Sequence, residues 1–345
     1  MIAIRKSRPD GPGVSHYLGL IMLAFGAMMF SCPNQAQEPA ATVVNSSPAP
    51  PDVKTIGLPD VFAHVALVQA ELELIRFEMG KPKNKQSAIV VKGAEPREAF
   101  FQALTLLRKA NRLNFEYRRE YGTIPDTPKG PISAADVYAL VDAALERIRL
   151  VKSTLGITEP AESAHPDPDK TANDVYSAIV QANRQLNLLL DRQFTPSDVF
   201  QQVTLAVSLA SHLLSQFPGA ARTPPPAPAF ERGKQPADVY RRLIACYHLI
   251  RQIAASSGLK MLTLETSEAH FEQVTPSDVY DLAALVVSEL SYLHAQMEDA
   301  QPHREIYYPG RKFPSHVYQR AGILEKQLID LERRVKEKPT WLRNP

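Results

Sequence analysis

Eight acidic or histidine side chains recur along the chain, each followed two residues later by an aromatic residue. The first set is Asp60, Glu98, Asp136, Asp174, Asp198, Asp238, Asp278 and His316. The aromatic set is Phe62, Phe100, Tyr138, Tyr176, Phe200, Tyr240, Tyr280 and Tyr318. Repeated carboxylates and imidazoles can serve in acid–base catalysis or bind metal ions. The residues around them must decide between chemistry and structure.

These surroundings are typical of the first turn of an α-helix. In FTPSDVF, residues 194–200, Thr195 suits the N-cap, and Pro196 suits the first helical position, where no N–H partner is needed. Asp198 follows three residues after the cap, where its carboxylate can accept the N-cap N–H. The same pattern predicts three further structural helix caps: Ser133 with Asp136, Thr171 with Asp174, and Thr275 with Asp278. The recurrent acids therefore predict helix starts rather than an active site.

The spacing of the starts predicts an all-α protein of eight long helices. Neighbouring starts lie 38 to 40 residues apart, except for 24 residues between Asp174 and Asp198. Each is followed by apolar residues at three- and four-residue steps, and then by a connection rich in helix breakers. DVFAHVAL at 60–67 matches DVFQQVTL at 198–205, four repeats later.

The match across four repeats predicts two tandem-duplicated four-helix modules. We assign them to residues 58–193 and 194–338, with a C-terminal tail at 339–345. The sequence leaves open whether they form two bundles or one eight-helix body. Helices 4 and 5 are joined by only a few residues, so we expect them to be antiparallel.

Motifs for metal, cofactor or nucleophilic chemistry are missing from the sequence. There is no His-Glu-x-x-His, no Cys-x-x-Cys-His and no glycine-rich phosphate loop. Four histidines on predicted helices stand at different distances from their helix starts, which predicts that they share no level: His64, His212, His248 and His294. We therefore expect no metal, no cofactor and no catalytic residue.

Two further kinds of reactive group have plain structural interpretations. The carboxylate pairs Glu71/Glu73 and Asp278/Asp281 are common on helix surfaces and indicate little without a cleft. Cys246 lies in the apolar segment LIACYHLI, which predicts a buried, inert thiol.

The first 32 residues are predicted to be a signal peptide. Three basic residues within the first eight precede an apolar run, Leu18–Phe30, which ends at Ser31 and Cys32. Thirteen residues are too few to cross a bilayer comfortably. The arrangement resembles a bacterial lipoprotein signal, and the resemblance implies lipid attachment at Cys32. Cleavage after Ala36, or retention of the segment as an anchor, are the alternatives.

Residues 33–57 are rich in Pro, Ala and Ser and predict a flexible tether between the anchor and the folded body. Removing residues 1–31 takes three basic residues and one acidic residue from totals of 39 and 37, leaving 36 of each. A chain without net charge exerts no overall electrostatic attraction on nucleic acid, so we expect no nucleic-acid partner.

A signal, a tether and a helical body without catalytic motifs favour a binding or scaffold protein over an enzyme. We expect it to be lipid-anchored in the cell envelope, facing the periplasm or the outside, and to bind another envelope protein. The alternative is a bundle that senses a small molecule between its helices. The long connections contain three β-like apolar runs, SAIVV at 87–91, KMLTL at 260–264 and REIYY at 304–308, where recognition could also reside.

Overall fold

The helices begin where the repeated phrases predict. The computed structural model describes residues 55–342, except for 85, 87–88, 129, 192–193, 221–222, 266–270 and 298–307. The long helices of this part are α1 (Leu58–Glu78), α2 (Pro96–Arg118), α3 (Ala134–Thr154), α4 (Ala172–Leu189), α5 (Pro196–Leu214), α6 (Pro236–Ser256), α7 (Pro276–Ala295) and α8 (Pro314–Glu337). The all-α class predicted from the sequence is confirmed.

Each of the eight recurrent side chains occupies the third position of its helix. There it accepts a hydrogen bond from the backbone N–H of the N-cap residue, at 2.7 to 3.1 Å. Seven of the acceptors are carboxylates, which also favour the positive end of the helix dipole. At α8 the acceptor is Nδ1 of His316. The local sequence thus determines where every helix starts.

The first helix group, α1–α4, is built from parallel neighbours. Both α1 and α2 pack against α3 and α4, so α1 and α2 lie diagonally opposite each other. Hydrogen bonds advance in the same direction along both partners: His64 to Asp142 and then Glu71 to Arg149 for α1 and α3, and Ala94 to Asn173 and then Gln102 to Asn183 for α2 and α4. The long connections therefore return the chain to the same end each time.

The second helix group, α5–α8, repeats this pairing. Both α5 and α6 pack against α7 and α8. The first turns of all four helices line one shallow apolar depression, formed by Pro196, Val199, Pro236, Val239, Pro276, Val279, Pro314 and Val317. The four helices consequently start at the same end, as those of the first group do.

The two helix groups meet side by side in opposite directions, through α7 against α2 and α4. Arg97 near the start of α2 contacts Glu289 in the second half of α7, whereas Lys109, further along α2, contacts Asp281 near the start of α7. The short connection between α4 and α5 is consistent with these opposite directions. It joins the last helix of the first group to the first helix of the second group, which runs the other way.

Two short strands join distant connections. β1 (Val90–Lys92) pairs with β2 (Thr263–Glu265) in antiparallel register, with Val91 opposite Leu264. These strands come from two of the three β-like runs of the sequence, and they link the α1–α2 connection to the α6–α7 connection. The third run, at 304–308, lies outside the described residues except for its last residue. The described end of the predicted tail is also packed, since Trp341 Nε1 donates to Ser257 Oγ at 2.8 Å.

Candidate functional site

The residues predicted as helix caps lie at helix starts, and most of them contact only their own first turn. The hydroxyls of Thr171 and Thr195 each donate to the carboxylate three residues later at 2.6 Å. Ser133 and Asp136 form the same pair at the start of α3. Hydrogen bonds to these partners lower the pKa of Asp136 and of Asp174. Carboxylates turned back onto the backbone in this way are not directed at a ligand.

Asp278 differs from Asp136, Asp174 and Asp198, the other predicted cap carboxylates, because it is buried, with 6% exposure. Its Oδ2 accepts the backbone N–H and the hydroxyl of Thr275, at 2.8 and 2.5 Å, and also the side-chain amide of Gln86 at 2.8 Å. Its Oδ1 lies 3.3 Å from Nε of Arg184 on α4. This cap therefore belongs to the contact between the two helix groups as well.

The cysteines and histidines singled out in the sequence do not form a common site among the described residues. Cys32, the signal and the tether up to residue 54 lie outside the described residues. Cys246 is fully buried, and burial raises the pKa of its thiol, which disfavours the thiolate that a nucleophile needs. The rings of His212 and His294, predicted at different levels, come within 5.6 Å on the neighbouring helices α5 and α7. Within the described part, no cluster of three or more metal-ligand side chains occurs.

Charged residues are buried where α2 meets α7, contrary to the surface location expected for several carboxylates. Asp278 and Asp281 are 6% and 8% exposed, and Glu71, which is 3% exposed, is buried at a different place, where α1 contacts Lys152 of α3. Along α2 and α7, Arg97 bridges Glu98 and Glu289 at 2.7 and 2.5 Å. We call the charged contact between the helix groups the buried seam: Arg97, Glu98, Lys109, Arg184, Asp278, Asp281 and Glu289.

Burial shifts the pKa values of three seam residues towards their neutral forms. Desolvation raises the pKa of Glu289 to about 7, while the Arg97 guanidinium acts in the opposite direction. Burial also raises the pKa of Asp281 and lowers that of Lys109, although these two side chains form an ion pair at 2.6 Å. Burial thus favours the neutral forms of Glu289, Asp281 and Lys109, against the attraction of their charged partners.

A small cavity opens beside the seam. Its volume is about 30 Å³, and its polar lining includes Gln102, Tyr176, Tyr240 and Asp281. That space accommodates a water molecule or two, whereas pockets for organic ligands are roughly ten times larger. The seam is therefore best understood as a joint between helix groups rather than a substrate site.

A sequence signal for the seam exists on α2. Glu98, Gln102, Thr105 and Lys109 follow one another at steps of four, three and four residues, and all are buried. A polar stripe at helical spacing within an amphipathic helix indicates a second packed face. Only one member of this stripe, Glu98, belongs to the recurrent acids of the helix starts.

The exposed aromatic side chains of the described residues all lie at one end of the body. They are Phe77, Tyr121, Phe230, Tyr308 and Phe313, with exposures from 39% to 77%. Phe77 and Tyr121 lie where α1 and α2 end, and the other three lie around the starts of α5, α6 and α8. The helix groups run in opposite directions, so the helix ends of the first group lie at the same end of the body as the helix starts of the second group. We call this surface the aromatic end.

Local contacts fix the rings of the aromatic end. Tyr121 stacks on Phe115 at 4.4 Å, next to Arg119, which takes a left-handed conformation with φ of 60°. On the second helix group, Phe230 and Phe313 flank the imidazole of His316 at 5.1 and 5.8 Å. Exposed rings held in this way lose little conformational freedom on binding, which favours protein contacts.

Neither a protein-family model, nor a curated protein, nor a solved structure matches this chain. Among the described residues, no helix combines the length and apolar character needed to cross a membrane.

Proposed function

We propose that this protein is an exported, lipid-anchored helical-repeat protein that binds or scaffolds another protein of the bacterial cell envelope. The lipoprotein-like leader and the tether of the sequence support its location. The observation that carries the binding role is the collection of every exposed aromatic side chain of the described residues at one end of the body. Exposed aromatic rings gathered at one end of a body are typical of protein interfaces.

The position of the tether supports this assignment. The described chain begins at residue 55, just before α1, and the first helix group ends at the aromatic end. The tether thus joins the body at the opposite end. Its 25 residues can extend to about 80 Å, more than twice the length of a twenty-residue helix. An anchored body can therefore present the aromatic end away from the membrane.

We propose further that the body arose by tandem duplication of a four-helix module. The identical pairing scheme in α1–α4 and α5–α8 supports this history, together with the sequence match of α1 to α5. The seam would then be a contact acquired after duplication, because α2 and α7 are not equivalent members of their groups.

The binding role can be tested by comparing variants at the two ends of the body. Tyr121→Ala and Phe313→Ala should each reduce capture of the partner from envelope extract by about tenfold, because exposed aromatic anchors dominate interface energies. Ile329, on the far half of α8, is 53% exposed and gives the matched control Ile329→Ala. Equal capture by all three variants and the unchanged protein would contradict the proposal.

The anchor has its own test. Cys32→Ala should release the protein from the membrane fraction into the soluble fraction, because the thiol is the attachment point that the leader implies. Membrane fractionation followed by immunoblotting measures this distribution. An unchanged distribution would remove lipid attachment at Cys32 from the proposal.

A further inference from the structure

Three cations at the aromatic end lie over aromatic rings. Arg311 lies 5.3 Å from the ring centre of Phe313, and Lys312 lies 5.1 Å from that of Phe200. Arg320 lies 5.0 Å from the ring centre of Tyr308 and 5.6 Å from that of Phe200. We call these six residues the cation–aromatic surface. It covers the start of α8 and the adjoining side of α5.

Among the described residues, these cations differ from their neighbours in having no acidic partner. Close by, Lys234 and Arg242 also lie over a ring, that of Tyr318, yet each pairs with a carboxylate: Lys234 with Glu231 at 2.7 Å and Arg242 with Glu325 at 3.0 Å. No carboxylate of the described residues forms an ion pair with Arg311, Lys312 or Arg320. Three positive charges are thus held in place without a carboxylate partner in the described part of the chain.

Such an arrangement favours an anionic partner. A ring beneath a guanidinium or ammonium restricts its position. Lys312 Nζ also donates to the Pro309 carbonyl at 3.3 Å, and Arg320 Nη2 donates to the Tyr308 hydroxyl at 3.5 Å, so the exposed guanidinium of Arg311 offers the most outward donors. Carboxylates can accept these donors in charge-assisted hydrogen bonds, with little loss of side-chain freedom on binding. The exposed rings of Tyr308 and Phe313 add apolar contact at the same place.

We propose that the cation–aromatic surface binds an acidic segment of the partner protein. This inference rests on the proposed binding role of the aromatic end and names the chemistry of its partner. A protein segment fits better than a lipid surface, because the rings of Tyr308 and Phe313 are packed against the neighbouring rings of Phe200 and His316 and are therefore not free to insert into a bilayer.

A labelled synthetic peptide of glutamates and leucines, with a lysine–leucine peptide as its counterpart, tests this directly. Fluorescence anisotropy should show that the protein binds the acidic peptide and not the lysine–leucine peptide. This binding should weaken as the salt concentration is raised. The combined variant Arg311→Gln, Lys312→Gln and Arg320→Gln should bind about tenfold more weakly. Arg311→Glu alone, at an exposed side chain, provides a second variant if the combined one does not fold.

The matched control neutralises three cations at the far end of α8 and just beyond it: Arg333→Gln, Lys336→Gln and Lys338→Gln. It should bind the acidic peptide as the unchanged protein does. Equal weakening in both triple variants, or no binding of the acidic peptide, would overturn the proposal. A membrane contact would be indicated instead if the unchanged protein sedimented with vesicles of an anionic phospholipid, the first triple variant alone did not, and the acidic peptide did not compete with the vesicles. That result would overturn the proposal.

The two proposals can fail separately. If Phe313→Ala reduces capture of the partner while the first triple variant does not, the aromatic end remains the binding face and its acidic specificity is wrong. If neither affects capture, the binding role of the aromatic end is wrong as well.

Discussion

At the scale of single residues, Asp278 shows how a repeated motif acquires a second role in one copy. Asp198 and Asp278 occupy the same position in TPSDV, and both accept the N–H of their N-cap threonine. Only Asp278 also faces Arg184 of the other helix group, at 3.3 Å, and accepts from Gln86. The sequence predicts the cap equally in both places, whereas the second role depends on which helices meet.

We expect the two aspartates to differ in their effect on stability. Asp198→Asn should lower the free energy of unfolding by about 1 kcal/mol, because it weakens a helix cap. Asp278→Asn should lower it by about 3 kcal/mol, since it also removes the carboxylate that faces a buried guanidinium. Urea unfolding followed by circular dichroism measures both values. Equal losses would contradict the second role of Asp278.

At the scale of elements, the sequence predicts helix starts well and helix partners poorly. The caps and apolar stripes are local, so the first residue and the buried face of α5 follow from FTPSDVF and the residues after it. The parallel direction of neighbouring helices could not be predicted, because the long connections can reach either end. The strand pair joining Val91 to Leu264 and the seam were also missed, since both depend on contacts between the helix groups.

Connections that run beside helices impose their own packing limits. Gly322 lies in α8, and a Cβ added there would come within 2.7 Å of the ring of Pro228, which belongs to the connection between α5 and α6. The same connection is held by Gln319, whose side chain donates to the Pro228 carbonyl at 2.8 Å. Glycine in this helix therefore allows the close approach of a neighbouring segment.

Gly322→Ala should consequently destabilise the protein, although alanine is the better helix former. We expect faster amide exchange around Pro228 and a lower melting temperature. The control Gly130→Ala, where an added Cβ meets nothing within 4 Å, should be neutral or slightly stabilising. Calorimetry and hydrogen exchange measure these effects. A higher melting temperature for Gly322→Ala would contradict this expectation, because it would show that the segment around Pro228 can move to accommodate the added methyl group.

At the scale of the whole molecule, the seam makes the joint between helix groups sensitive to pH. Glu289 faces Arg97 and Glu98, and it is 1% exposed. Its pKa in the folded protein is about 7, above the ordinary value of 4.5. Between these values the folded state binds more protons at this carboxyl than the unfolded state does. Its contribution to stability is therefore full below 4.5 and decreases as the pH rises towards 7.

Replacing Glu289 by glutamine should remove this dependence. The free energy of unfolding of the unchanged protein should decrease between pH 4.5 and 7 relative to that of Glu289→Gln. Urea titrations at several pH values measure the two slopes. Parallel curves for the two proteins would show that another group dominates in this range.

The parallel arrangement within each helix group also affects how the chain can fold. No two consecutive helices of a group pack as a hairpin, and the partners joined by His64–Asp142 and Gln327–Ser211 are 78 and 116 residues apart in sequence. Closing such long loops costs entropy before any contact offsets it. Although its secondary structure is helical, this protein should refold at the slow rates of domains with high contact order rather than at those of up-and-down helical bundles.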